Sequence, residues 1–331
     1  MRREAHLGAA PARRGLDLRG WAPTLVILAA FAVTPLLAPF GAEGYVLTLA
    51  TRMMILAIAV VSLDLLIGHG GLVSFGHAAF VGLGAYVTGI LLTEGVYDAT
   101  AILAAVVAAA AVFALVTGAV SLRTSGVYFI MITLAFGQML FFTASSLSAY
   151  GGDDGLTLWS NAELFGTGLL DDARGLFYVT LAVLIGAVVL ADRVVGSRFG
   201  RVLRAAKENP TRTASLGFDV FRFRLTAYVV AGIVAGLAGF LAAVQAEFVS
   251  PAAMSWQRSG ELIVMVVLGG TAARHGPLLG ALVFVGLEEW LSTWIDHWKL
   301  LFGPLLVLVV LYGRGGLAAL LAPLTGEPRR G

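Results

Sequence analysis

The chain is dominated by a succession of apolar runs, each about 20 residues long, that are separated by short clusters of charged residues, glycine or proline. A helix of that length crosses the hydrocarbon core of a bilayer. The 331 residues are 59% hydrophobic and only 13% charged, whereas an average soluble domain is about 25% charged. The sequence therefore predicts an all-α, polytopic membrane protein.

The charged and Gly/Pro clusters divide the chain into about ten candidate spans. They cover approximately residues 21–40, 46–67, 74–93, 100–120, 127–147, 176–192, 224–247, 260–273, 277–295 and 300–318, of which the eighth is short. We interpret the first run as a retained helix, not a signal peptide, because no small-residue cleavage pattern follows it. The predicted organisation is an N-terminal tail (1–20), a transmembrane domain (21–318) and a C-terminal tail (319–331).

The distribution of basic residues predicts the orientation of these spans. If both termini are cytoplasmic, all of the 22 Lys and Arg residues lie inside except Arg52, Arg174, Arg258 and Lys299. Cytoplasmic loops of membrane proteins carry such an excess of positive charge. The long basic loop at about 193–223 is then cytoplasmic, and the acidic loop at about 148–175 is extracytoplasmic.

Several functional classes are excluded by the residues that the chain lacks. It has no cysteine, and neither of its two lysines lies in a GxxxxGK[ST] loop that could bind nucleotide phosphates. There is no HExxH, GxSxG or GxGxxG motif, and no basic stripe interleaved with aromatic residues of the kind that nucleic-acid binding requires. We therefore predict no catalytic residue, no cofactor, no metal site and no nucleic-acid partner.

Four acidic residues lie in or beside the spans: Asp64, Glu261, Glu288 and Glu289. They form an intramembrane acid set in one interpretation, because a carboxylate near the bilayer centre is usually functional. In the other interpretation they are interfacial acids, since three of them are near predicted span ends.

A glycine-rich stretch, GHGGLVSFGHAAFVGLGAY at residues 68–86, separates two apolar runs. The passage VMVVLGGTAARHGPLLGALVFVGL, from residue 264, has the same order of apolar run, glycine pair, polar turn and apolar run. This pattern predicts an internal repeat with interrupted helices, which in transporters points to a central pathway. Alternatively, the glycines allow close helix packing, as we expect for Gly232, Gly236 and Gly239. The candidate pathway residues are Asp64, Gly71, Ser74, Gly76, His77, Gly269 and Gly270.

The basic loop between the sixth and seventh spans contains a short amphipathic helix in our interpretation, with Phe199, Val202, Leu203 and Ala206 on one face. Asn209 and Pro210 are expected to end it, and Gly217 marks a second stop. The helix either lies on anionic lipid or docks a soluble partner. The candidate docking residues are Arg201, Leu203, Arg204, Ala206, Lys207, Asn209, Ala214, Leu216 and Gly217.

Three separated motifs resemble one known family. They are SLDLLIGHGGLVSFGHAAFVGLGAY, GVYFIMITLAFGQML and GRVLRAAKENPTRTASLGFDVFRFRLTAYVVAGIVAGLAGFLAA, and the similarity extends from about residue 46 to 312. The chain resembles the LivM-type permease subunit of bacterial branched-chain amino acid ABC importers. One departure is Ala273-Arg274-His275, where family members more often carry small or aromatic residues.

The resemblance implies a multi-pass subunit of the bacterial cytoplasmic (inner) membrane that forms half of a pathway for branched-chain amino acids or a related small solute. It also implies a second, LivH-type permease, two ATPase subunits that dock on the cytoplasmic loop, and an extracytoplasmic substrate-binding protein. Two other classes compete with this interpretation. One is a proton-coupled secondary transporter that uses Asp64 as the carrier, and the other is a structural membrane scaffold.

Overall fold

The computed structural model describes residues 18–37, 43–294, 300, 303–304, 307 and 315–319, and almost all regular structure in these ranges is helical. The α-helices in chain order are α1 (Leu18–Leu37), α2 (Glu43–Asp64), α3 (His77–Thr93), α4 (Ala99–Ser121), α5 (Val127–Ser146), α6 (Ala173–Gly196), α7 (Arg198–Glu208), α8 (Pro210–Ser215), α9 (Val220–Ala246), α10 (Trp256–Gly269) and α11 (Gly276–Trp294). The prediction of a mostly helical chain is confirmed in this part of the sequence.

Five helical segments in the described ranges are long and apolar enough to cross a membrane: Gly44–Gly70, Ala99–Ser121, Val127–Ser146, Ala173–Gly196 and Val220–Ala246. Trp21–Pro35 and His77–Thr93 are shorter apolar helices. The number of ten spans stays a prediction, because α10 has only 14 residues. Most of the predicted tenth span and of both tails lies outside the described residues.

The helix ends gather at two opposite ends of the bundle. At the first, Gln245 near the end of α9 donates a hydrogen bond to the carbonyl of Thr48 near the start of α2 (2.7 Å). At the second, Arg274 between α10 and α11 pairs with Asp192 near the end of α6 (2.8 Å). We name these the acidic end, which carries the loop between α5 and α6, and the basic end, which carries α7 and α8. Which of them faces the cytoplasm stays a prediction.

The core forms where α9 packs on α3 and α4, with α2 beside them. A Cβ atom on Gly84 would lie 2.1 Å from the carbonyl oxygen of Gly236, and one on Gly239 would lie 1.9 Å from that of Val81. Only glycine lets two helix backbones approach so closely. The glycines of α9 therefore serve helix packing, as expected. By contrast, α4 and α5 leave apolar outer faces exposed.

The loop between α5 and α6 folds over the acidic end. Its strand β1 (Leu156–Thr157) pairs antiparallel with β2 (Phe248–Val249), which follows α9. Nearby, the carboxylate of Asp98 caps the start of α4 by accepting from both the hydroxyl and the backbone N–H of Thr100. These two hydrogen bonds lower the pKa of Asp98, the hydroxyl contributing more. The paired strands were not predicted, because two residues are too few to show an alternating pattern.

Candidate functional site

The glycine-rich stretch at residues 68–77 interrupts the chain between two helices, as its composition predicts. α2 ends at Asp64, a π-helical turn continues to Gly70, and regular helix resumes only at His77. Ser62 Oγ lies 2.8 Å from His77 Nε2, so α3 begins beside Ser62 of α2. Ser62 itself lies about two helical turns before Gly70. Segment 71–76 therefore runs back along α2, and we name residues 64–76, from the last residue of α2 to the start of α3, the first break.

His77 and Ser74, two candidate pathway residues, are fully buried at this break. The single hydroxyl proton of Ser62 is directed to the carbonyl of Ala59 at 2.7 Å, so Ser62 accepts a hydrogen bond from Nε2–H of His77. Nδ1 is then the acceptor nitrogen, and within the described ranges it has no hydrogen-bond partner. In this conformation both side chains belong to the packed interior, and their role in a pathway stays a prediction.

Gly76 is crowded by the neighbouring helix α5. A Cβ atom on Gly76 would lie 2.2 Å from the carbonyl oxygen of Thr133, and one on Gly137 would lie 3.2 Å from the Cα of Gly76. The two glycines thus bring the start of α3 into backbone contact with α5. This geometry favours the packing interpretation of Gly76 over a pathway-lining one.

The second break, residues 270–275, is a tight turn between α10 and α11. A Cβ atom on Gly269 would lie 1.9 Å from the carbonyl oxygen of Gly276. Gly270 has φ +108°, and Ala272 has φ +60°, which is uncommon for a residue other than glycine. The second break therefore shares the composition of the first break but not its backbone path, and the internal repeat stays a prediction.

The two breaks touch each other. Asp64 Oδ1 accepts a hydrogen bond of 2.9 Å from the backbone N–H of Ala272, and the side chain of Asp64 is buried. Gly68 lies at the same contact, where an added Cβ atom would be 2.6 Å from the nitrogen of Ala272. A buried carboxylate is costly unless it is hydrogen-bonded, so this contact gives Asp64 a structural partner.

The other three acids considered from the sequence have partners at less buried positions. The pairs are Arg258 with Glu261 (2.7 Å), Arg52 with Glu288 (3.1 Å) and Tyr45, which donates to Glu289 (2.5 Å). These three acids are half-buried, not fully buried, and this supports their interfacial interpretation.

The basic loop folds as two short helices with the predicted stops. α7 ends at Glu208, and Pro210 is the first residue of α8. Between them Asn209 caps α8, because its Oδ1 accepts from the backbone N–H of Arg212 at 2.9 Å. Gly217 follows the end of α8 with φ +87°, a conformation that favours glycine.

Two residues that we expected to dock a partner are inaccessible to one. Leu203 and Ala206 are fully buried, and Leu203 belongs to the same core cluster as Leu66 and Leu72 of the first break. Periodicity correctly identifies the apolar face of α7 but not what covers it. The prediction of a docking face at Leu203 and Ala206 is wrong, since the rest of this chain occupies that face.

Two basic side chains of α7 also form hydrogen bonds with backbone outside this helix, although the helical period places both residues on its polar face. A guanidinium nitrogen of Arg204 donates to the carbonyl of Val195 at 3.3 Å. Lys207 Nζ donates to the carbonyl of Gly68 at 2.8 Å. The last carbonyls of a helix lack intrahelical donors, and Lys207 supplies one at the end of the α2 segment.

The part of the loop that remains exposed is centred on α8. We name it the α8 surface, and Leu216, 69% exposed, is its most accessible large apolar side chain. Its members are Arg201, Asn209, Arg212, Ala214, Leu216 and Gly217. A partner at the basic end would meet these residues before it meets those of the inner face of α7.

Sequence reasoning missed several contacts that the two breaks make with the rest of the chain. Besides the bond from Lys207, Arg274 of the second break pairs with Asp192 of α6 and lies 5.2 Å from the ring centre of Trp21 of α1. The only signals in the sequence were an orphan carbonyl at a helix end and a lone arginine between glycine-rich helix ends. Neither identifies its partner without the fold.

A cavity of about 120 Å³ lies at the acidic end, between α2, α6 and α9. Thr48, Asn161 and Gln245 are among its polar lining residues. Asn161 Oδ1 is buried there without a hydrogen-bond partner in the described part of the chain. None of the candidate pathway residues lines this cavity.

A helical bundle with apolar outer faces, two glycine-rich breaks in contact and a basic loop against them is typical of a multi-pass membrane transport protein. The family described as "Branched-chain amino acid transport system / permease component" matches residues 45–311. The chain belongs to this family of branched-chain amino acid ABC transporter permeases.

Individual relatives agree with this assignment. The chain is 28% identical to the high-affinity branched-chain amino acid transport system permease protein LivM of Escherichia coli, over 90% of this chain and 76% of the relative. It is 28% identical to the LivM protein of Salmonella typhimurium, over 86% and 72%. The probable branched-chain amino acid transport permease protein LivH of Methanocaldococcus jannaschii is 33% identical, over 35% of each chain. No solved structure matches the chain.

Proposed function

We propose that this chain is the LivM-type permease subunit of an ABC importer and forms half of the pathway for branched-chain amino acids or a related small solute. The observation that carries the proposal is the family match over residues 45–311. The sequence agrees with it, because a chain without a phosphate-binding loop needs a separate source of ATP hydrolysis. The membrane is the bacterial cytoplasmic (inner) membrane.

The proposed partners are a second permease of the LivH type, two ATPase subunits and an extracytoplasmic binding protein that delivers the substrate. Similarity to both a LivM and a LivH protein supports a system of two related permeases. The binding protein would approach the acidic end, and the ATPases would approach the basic end.

The α8 surface is the proposed docking site for an ATPase. Ala214 and Leu216 provide a small apolar contact, and Arg201 and Arg212 provide exposed positive charge for an acidic rim on the partner. The caps at Asn209 and Gly217 hold α8 in place. The alternative partner, anionic lipid, would use the same arginines but no shaped apolar contact.

A proton-coupled secondary transporter with Asp64 as the carrier is the competing function. The hydrogen bond from Ala272 gives Asp64 a structural role in joining the breaks, and this supports the ABC permease over the carrier. A carrier would instead need a carboxylate that is free to exchange its proton with both sides.

Co-expression of the chain with its candidate partners tests the proposal. We expect the wild-type chain to co-purify with both ATPases and to give ATP hydrolysis that the substrate-loaded binding protein stimulates. Arg212→Glu should weaken ATPase co-purification by about tenfold, because it places like charges across the contact. Arg193→Glu, at an exposed site on α6, is the matched control. Docking at the α8 surface would be contradicted if neither variant lowered ATPase co-purification. It would also be contradicted if the decrease occurred only in the presence of anionic lipid.

A further inference from the structure

We propose that Lys207 is a positioning residue that transmits movement of the α7–α8 loop to both helix breaks. The proposed chain of contacts runs from Lys207 to Gly68, and from the adjoining Asp64 to Ala272. This inference rests on the proposed function, because it assumes that an ATPase moves the loop.

The first step joins the loop to the first break. Lys207 Nζ donates to the carbonyl of Gly68 at 2.8 Å, and the methylene stem of Lys207 lies beneath Gly71. A Cβ atom on Gly71 would be 2.8 Å from Cγ of Lys207, so this position accepts only glycine without rearrangement. A displacement of α7 therefore acts on the polypeptide within the π-helical turn, at Gly68, and directly after it, at Gly71.

The second step joins the first break to the second. Gly68 lies one turn after Asp64, and an added Cβ atom there would be 2.5 Å from Asp64 Oδ1. The same carboxylate oxygen holds the N–H of Ala272 at 2.9 Å. Movement of the π-helical turn therefore displaces the acceptor that fixes the turn between α10 and α11.

The backbone at both breaks is suited to a change of conformation. Gly71 has φ +67° and Ala272 has φ +60°, and a residue such as alanine keeps a positive φ only when its surroundings hold it there. The surroundings of Ala272 include the Asp64 carboxylate, and those of Gly71 include Lys207. Release of the Asp64 contact would therefore favour a different backbone at Ala272, and Gly71, as a glycine, can follow by adopting another φ.

α7 is also tied to the helix that follows the loop, so the loop moves as a unit with its supports. A guanidinium nitrogen of Arg224, near the start of α9, donates to the carbonyl of Ala206 at 3.0 Å. Ala206 precedes Lys207 directly. Movement of α8 would therefore be transmitted to Lys207 through α7. The buried face of α7 and the carbonyl of Ala206 near its C-terminus both contact the rest of the chain.

The test uses Lys207→Met in the complete complex with its ATPases and binding protein. Methionine keeps an apolar side chain beneath Gly71 but removes the ammonium group that donates to the carbonyl of Gly68. Arg198→Met, which removes an exposed cation from the same helix, is the control, and Lys207→Arg keeps a charged donor. We expect Lys207→Met to assemble normally and to lower the substrate transported per ATP hydrolysed by about tenfold, because the loop loses its charged hydrogen-bond donor to the first break. Lys207→Arg should restore part of this ratio.

Movement of the second break is measured independently with Thr271→Cys, an exposed position in a chain without native cysteine. We expect a nonhydrolysable ATP analogue to change the maleimide labelling rate in the otherwise wild-type complex but not when Lys207→Met is added. The inference would be overturned if the nucleotide changed the labelling rate equally with and without Lys207→Met. It would also be overturned if the nucleotide did not change the labelling rate in the otherwise wild-type complex.

The outcomes separate this inference from the proposed function. If Lys207→Met lowers assembly or thermal stability while the transport per ATP is unchanged, Lys207 only supports the fold and the inference is wrong. If the wild-type chain neither binds the ATPases nor transports with them, the proposed function fails, and the inference fails with it.

Discussion

Asp64 and Ala272 are 208 residues apart in the chain, yet the carboxylate of one accepts a 2.9 Å hydrogen bond from the backbone N–H of the other. Each residue belongs to a glycine-rich interruption between helices. The bond therefore fastens two breaks to each other, and neither break is an independent flexible hinge. It also gives a buried acid in a membrane helix a role that requires no proton transfer.

Substitution of Asp64 distinguishes the structural role from a carrier role. Asp64→Asn keeps a carbonyl oxygen that can accept from Ala272, so we expect it to retain most of the uptake. Asp64→Leu leaves that half-buried N–H without its partner, at a cost of about 1 kcal/mol or more, and should lower both stability and uptake. Thermal unfolding in detergent and uptake in proteoliposomes check this pair. A stable Asp64→Asn subunit without any uptake would instead support proton carriage.

Enlarging Gly76 should disrupt helix packing. Gly76→Leu places atoms on the carbonyl of Thr133, and a backbone group cannot yield as a side chain end does, so the cost should be about 3 kcal/mol or more. Gly186→Leu is the control, because Gly186 of α6 is exposed and a Cβ atom added there would have nothing within 4 Å. We expect a lower yield of assembled complex for Gly76→Leu alone. Normal assembly with blocked transport would revive the pathway-lining interpretation.

Local signals predicted much of this fold. Apolar runs gave the helices, and the glycines at 68–76 and 269–276 marked both breaks. Asn209, Pro210 and Gly217 gave the loop stops, because caps depend on neighbouring residues alone. The direction of Lys207 and the burial of Leu203 could not be predicted in this way. Both depend on which distant segment covers α7, and a helical period contains no information about that segment.

Gly217→Val should disturb the end of the α8 surface through the backbone. Gly217 has φ +87° and nothing within 4 Å of an added Cβ atom, so strain, not a clash, is the expected cause. Gly196→Val adds the same side chain at an uncrowded position at the end of α6 without a positive φ. We expect Gly217→Val to reduce ATPase co-purification and Gly196→Val to leave it unchanged. Equal effects would show that Gly217 contributes no special geometry.

Cysteine labelling tests which end of the bundle faces the cytoplasm. Single cysteines at Asp154, in the acidic-end loop, and at Glu208, at the end of α7, are both at exposed positions. An impermeant maleimide should be added to cells whose cytoplasmic membrane is intact and whose outer barriers have been removed. It should label Asp154→Cys directly and Glu208→Cys only after permeabilisation. The reverse pattern would invert the orientation that the positive charges predict.

Substrate uptake in proteoliposomes tests the proposed function most directly. The chain should be reconstituted alone and with the second permease and both ATPases, with the binding protein outside and radiolabelled leucine as the substrate. We predict uptake only by the complete complex, dependent on internal ATP and on the binding protein, and unaffected by collapse of a proton gradient. Uptake by the chain alone, driven by a proton gradient without ATP, would contradict its assignment as the permease subunit of an ABC importer.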